Sequence, residues 1–89
     1  MNFKELKELY LNSNNISDIK VLERVKFEKL EILNLGRNKI SNNINQLENV
    51  NFKELKELNL YDNNISDIKV LERVKFEKLE KLDLGGYVS

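Results

Sequence analysis

Glu57, Asp62 and Asp83 are the side chains in this sequence that could gather around a cation. A hard ion such as Ca²⁺ needs six or more oxygens from a dedicated loop, and no stretch has that spacing, so no metal site is expected. The chain has no Cys and no His, which removes the thiolate nucleophile, the commonest general base and the commonest metal ligand. Its serines have no base beside them, and its carboxylates alternate with lysines. The expectation is a protein that is not an enzyme and takes no cofactor. Gly85-Gly86 lacks the following Lys and helix of a phosphate loop and reads as a capping turn. Asn15-Ile16-Ser17 and Asn64-Ile65-Ser66 match the glycosylation pattern, yet both fall where the chain's own repeat calls for those residues.

What remains is recognition chemistry. Tyr10, Tyr61 and Arg37 are of the types that anchor protein interfaces. Their placement follows from a repeat. Phe3, Phe27, Phe52 and Phe76 open four units, 2–25, 26–50, 51–74 and a partial 75–89, at spacings of 24, 25 and 24 residues. The extra residue lies in Ile-Ser-Asn-Asn-Ile at 40–44, against Ile-Ser-Asp-Ile in the units on either side. Within the units Leu recurs as L-x-x-L-x-L-x-x-N-x-I: Leu6, Leu9, Leu11, Asn14, Ile16, then Leu30 to Ile40 and Leu55 to Ile65, with Tyr87 replacing the Asn in the last unit.

The L-x-L step has the period of a strand, so Leu9 and Leu11 face one side while Tyr10 and Asn12 face the other. One such strand cannot bury its leucines, whereas stacked rungs can. The recurrent Asn suits the turn out of each strand, and a column of Asn14, Asn38 and Asn63 is expected. The segments 17–25 and 66–74 read as a short helix or 3₁₀ turn, with Ser or Asp to cap it and Ile19, Leu22 and Val25 at helical spacing. This pattern resembles the leucine-rich repeat family over essentially the whole chain. Ile-Ser-Asp-Ile followed by Leu is similar to the repeats of the protein phosphatase 1 regulatory subunit and of bacterial internalins, whose units are shorter. The resemblance implies one domain, 1–89: an α/β repeat solenoid, a short curved horseshoe with a parallel β-sheet on its concave face and helical or 3₁₀ segments on its convex face.

Laid over 51–80, residues 2–31 differ only at Tyr10/Asn59, Asn12/Tyr61 and Ser13/Asp62. All three belong to the expected concave face. Its rows run Glu8, Ile32, Glu57, Lys81; Tyr10, Asn34, Asn59, Asp83; Asn12, Gly36, Tyr61, Gly85; and Ser13, Arg37, Asp62, Gly86. The resemblance implies a protein or peptide bound there; by residue type, Tyr10, Tyr61 and Arg37 are the expected anchors and Glu8, Glu57, Asp62 and Asp83 the expected polar contacts. Exposed positions are also free to drift, so both explanations of the differences stay open at this point.

Lys plus Arg equals Asp plus Glu at 15 each, so nucleic acid and anionic membrane are not expected partners. No apolar run suits a membrane span and no leader is visible, which reads as cytoplasmic. The charges alternate between units: Lys4, Glu28, Lys53, Glu77; Glu5, Lys29, Glu54, Lys78; Lys7, Glu31, Lys56, Glu80. Stacked rungs therefore set opposite charges side by side, which favours one register. A copy added after the last unit would continue every column with the correct sign. Homo-association end to end, as a structural or self-assembling segment, is thus the alternative function to concave-face binding.

Overall fold

The computed structural model describes residues 3–25, 27–50, 52–74 and 76–85. Four three-residue strands, β1 (Glu8–Tyr10), β2 (Ile32–Asn34), β3 (Glu57–Asn59) and β4 (Lys81–Asp83), form one parallel sheet in the order β1-β2-β3-β4. Register is uninterrupted: Glu8, Ile32, Glu57 and Lys81 are aligned, as are Leu9, Leu33, Leu58 and Leu82, and Tyr10, Asn34, Asn59 and Asp83. A slip of one residue would turn the central leucines out into solvent. Leu33 and Leu58 are fully buried, so register is tightly specified.

Behind the sheet lie three 3₁₀ segments, η1 (Lys20–Glu23), η2 (Ser41–Asn49) and η3 (Lys69–Glu72). The Asp18 and Asp67 carboxylates accept hydrogen bonds from the Lys20 and Lys69 amides at 2.9 Å, so Asp rather than Ser starts these turns. The extra residue of the second unit changes the exit from the sheet. Asn15 and Asn64 take positive φ in the first and third units, whereas the second puts it at Ser41, φ 48°, and continues into the longer η2.

Between the layers sits one core of leucine, isoleucine, valine and phenylalanine. Phenylalanine forms its own spine: Phe3 stacks on Phe27 at 6.0 Å between centroids, and Phe27 meets Phe52 at 6.1 Å with the rings tilted by 42°. The asparagine column is present. Asn38 and Asn63 are buried, and each amide spans two rungs. The charge columns are realised in part: Lys29–Glu5 and Lys78–Glu54 are paired at 3.0 Å and Lys56–Glu31 at 3.7 Å. Among the described residues, the Lys4, Glu28, Lys53, Glu77 column forms no ion pair. The expectations for Gly86 and for the closing residues 87–89 lie outside the described residues.

Candidate functional site

The concave face is built by the alternation of the strands. Each strand turns its central leucine inward and the residues on either side outward, which places Glu8 and Tyr10, Ile32 and Asn34, Glu57 and Asn59, and Lys81 and Asp83 on one surface. Asn34, Asn59 and Asp83 each accept a backbone amide two residues on, from Gly36 at 2.9 Å, Tyr61 at 3.3 Å and Gly85 at 2.9 Å. These bonds hold the amide oxygens of Asn34 and Asn59 in the turn.

Parallel backbone bonding continues past the strands, from Ser13 to Gly36, Arg37 to Tyr61 and Asp62 to Gly85. Ser13, Arg37 and Asp62 all have positive φ, 61°, 53° and 54°. The chain thus turns sharply at one position in successive rungs, and this aligns Arg37 beside Asp62. The Arg37 Nε lies 3.8 Å from the Asp62 carboxylate, and its guanidinium is 5.9 Å from the centroid of the Tyr61 ring. The ring itself lies over Gly36, where a Cβ on the glycine would overlap it. Tyr61, Arg37 and Asp62 therefore form one cluster, seated on the glycine of the preceding rung.

Tyr10 stands apart, two rungs from Tyr61. More than half exposed, its hydroxyl donates to Glu8 Oε1 at 3.2 Å. Partial loss of hydration and that bond, with the Glu8 and Glu57 charges adding, raise the Tyr10 phenol above its ordinary 10.0. Raising the folded pKa stabilises the protonated form, so this contribution is present below pH 10 and lost as pH rises through the folded value. Glu8→Gln is expected to bring the Tyr10 titration back toward 10.0, read as an alkaline NMR titration of the ring protons.

The structure thus brings Arg37, Tyr61 and Asp62 together and leaves Tyr10 with Glu8 as a second group. Ile32, half-buried between Glu8 and Glu57, supplies an apolar floor. Asn12 and Ser13 lie at the outer rung, in line with Gly36 and Arg37. The Arg37–Asp62 pair had a signal in the sequence, since opposite charges share a column in adjacent rungs. The role of Gly36 had none, because it depends on where a tyrosine 25 positions later lays its ring.

The three candidate cation ligands do not converge. Asp62 meets Arg37, Glu57 lies 3.7 Å from Lys81, and Asp83 takes the Gly85 amide. Among the described residues, no group of three acidic side chains could hold a metal ion, and no helix is long and apolar enough to cross a membrane. A family model described as leucine-rich repeats, two copies, matches residues 4–51 and 53–88. No curated protein and no solved structure matches the chain significantly.

Proposed function

Because the chain belongs to the leucine-rich repeat family, whose domains commonly mediate protein–protein interaction and are typically non-enzymatic, we propose that its concave sheet docks a protein or peptide. The mechanism is surface complementarity on a rigid scaffold. The observation that carries this reading is the Tyr61–Arg37–Asp62 cluster. All three of its residues stand at positions where the otherwise copied halves of the chain diverge, Tyr61 against Asn12, Asp62 against Ser13 and Arg37 against Gly86.

Cluster geometry favours a binding role. A tyrosine held flat against glycine loses little further side-chain freedom when a ligand arrives, so less of its contact energy is offset by ordering. Arg37 lies over the same ring, its guanidinium 5.9 Å from the centroid. Glu8, Tyr10, the Asn34 and Asn59 amides, Lys81 and Asp83 supply the surrounding polar contacts.

Peptides selected from a display library on the wild-type chain provide the test. Tyr61→Ala and Arg37→Ala are each expected to weaken the best peptide at least about tenfold, a loss of about 1.4 kcal/mol. Lys20→Ala and Glu72→Ala on the convex side are expected to leave binding unchanged. Losses confined to the convex variants would refute the reading.

A further inference from the structure

We propose that the two edges of the sheet are complementary, so that β4 of one molecule accepts β1 of the next in the register with which β2 accepts β3. The occupant of each edge is a second copy of this chain, placed head to tail.

The backbone supplies the first argument. Leu11 donates to Asn34 and Ile32 to Lys7, so residues 7, 9 and 11 direct their backbone groups at β2. By alternation, those of Glu8 and Tyr10 point away from the sheet. At the other edge Leu60 donates to Asp83 and Lys81 to Lys56, which among the described residues leaves the groups of Leu82 and Leu84 open. The internal junction shows how such edges join: Leu35 donates to Asn59, and Glu57 to Glu31. Repeated between copies, Leu84 donates to Tyr10 of the next copy, and that copy's Glu8 donates to Glu80.

Side chains give the second argument, which is independent of the first. Of the five large apolar side chains exposed among the described residues, Phe3 and Val21 lie on the first rung and Leu82 on the last. Head-to-tail contact sets Leu82 against Leu9 and brings Phe3 of the next copy to the rung after Phe76. It also meets charge with charge. Glu80 faces Lys7 as Glu31 faces Lys56 at 3.7 Å within the chain, and Lys81 faces Glu8. A two-fold contact of β1 with β1 would run the strands antiparallel and align none of these columns. The contact is therefore heterologous and does not close on itself.

The convex layer limits its strength. Within the chain η2 covers Val70, whereas no described 3₁₀ segment follows β4, so Val21 of the next copy stays open. A short sheet junction of this kind is an exchanging contact rather than a permanent one.

Two edge-blocked variants test the proposal by sedimentation velocity, with circular dichroism on each. Tyr10→Pro removes an outward N–H that the fold itself does not use. Leu82→Glu puts a carboxylate in the opposite edge, and Lys81→Glu replaces it should it unfold. The wild-type weight-average mass is expected to rise at least twofold between about 10 µM and 1 mM. Each variant alone is expected to stay monomeric, while an equimolar mixture forms one heterodimer and grows no further. A wild type that remains monomeric at about 1 mM overturns the proposal, leaving these edges to some other occupant. A single variant that dimerises alone also overturns it, in favour of a two-fold contact.

Discussion

Val70→Asp is expected to unfold this chain under conditions in which Val21→Asp leaves it intact. The two valines occupy the same position in identical stretches, Asp-Ile-Lys-Val-Leu-Glu-Arg-Val at 18–25 and 67–74. Local propensity therefore treats the substitutions alike, and any difference comes from packing. Val70 is 1% exposed and Val21 58%. Ile68 and Ile19 reverse the order, at 36% and 2%. In each segment valine faces the preceding rung and isoleucine the following one. Among the described elements η2 is the one 3₁₀ segment beside both, so it covers Val70 from one side and Ile19 from the other. Burying a carboxylate there forfeits about 1.5–3 kcal/mol of apolar burial and adds the cost of an unpaired charge. Against a total stability of roughly 4–13 kcal/mol for a chain of this length, that removes most of the fold. Val21→Asp is expected to stay within about 0.5 kcal/mol of wild type. Urea unfolding followed by circular dichroism measures both. Equal losses would show that rung position does not govern burial.

A second large effect is expected from Asn38→Ala. The buried Asn38 amide accepts from the Asn14 and Ile16 backbones at 2.9 Å and donates to Leu11 at 3.0 Å, Leu35 at 2.9 Å and Gly36 at 3.2 Å. It closes its own turn and fastens the previous rung. Alanine leaves these groups without a partner in a setting with little water, at about 1–3 kcal/mol for each left unsatisfied. Some rehydrate at the first rung, so the expected loss is about 3–5 kcal/mol in all. Asn63 is buried as deeply and donates to Leu35, Leu60 and Tyr61 while accepting from Ile40. Its replacement is expected to cost a similar amount. The Asn14 side chain, exposed at the first rung, donates among the described residues only to Leu11 and Asn12 of its own turn. Asn14→Ala is expected to cost about 1 kcal/mol or less. Unfolding midpoints that ranked all three alike would contradict a column working between rungs.

Much of this architecture was legible from spacing alone. The L-x-L steps located the four strands, and the Asn that ends each complete L-x-x-L-x-L-x-x-N motif located the amide column, because each feature repeats and each has one physical use. Opposite burial of Val21 and Val70 was not legible, since two identical stretches carry no record of which neighbour lies beside them. The phenylalanines marked the repeat without revealing that their rings form a spine. On the concave face, alternation gave the outward rows, and shared columns were enough to pair Lys29 with Glu5. Tyr61 lying on Gly36 was hidden, because glycine stands on both neighbouring rungs, Gly36 and Gly85, and spacing does not say over which the ring lies. The nine-residue η2 was hidden for a related reason. Its extra residue shows in the count of positions, but its effect on Ser41 is a matter of backbone conformation.

The central claim is that ligands bind the concave sheet, and amide chemical-shift mapping of the chain with a library-selected peptide tests it most directly. The predicted result is a contiguous set of shifts along the strands and their exits, strongest around Arg37 and Tyr61, with η1 and η3 unmoved. Shifts centred on the 3₁₀ segments, with the strand rows silent, would contradict it.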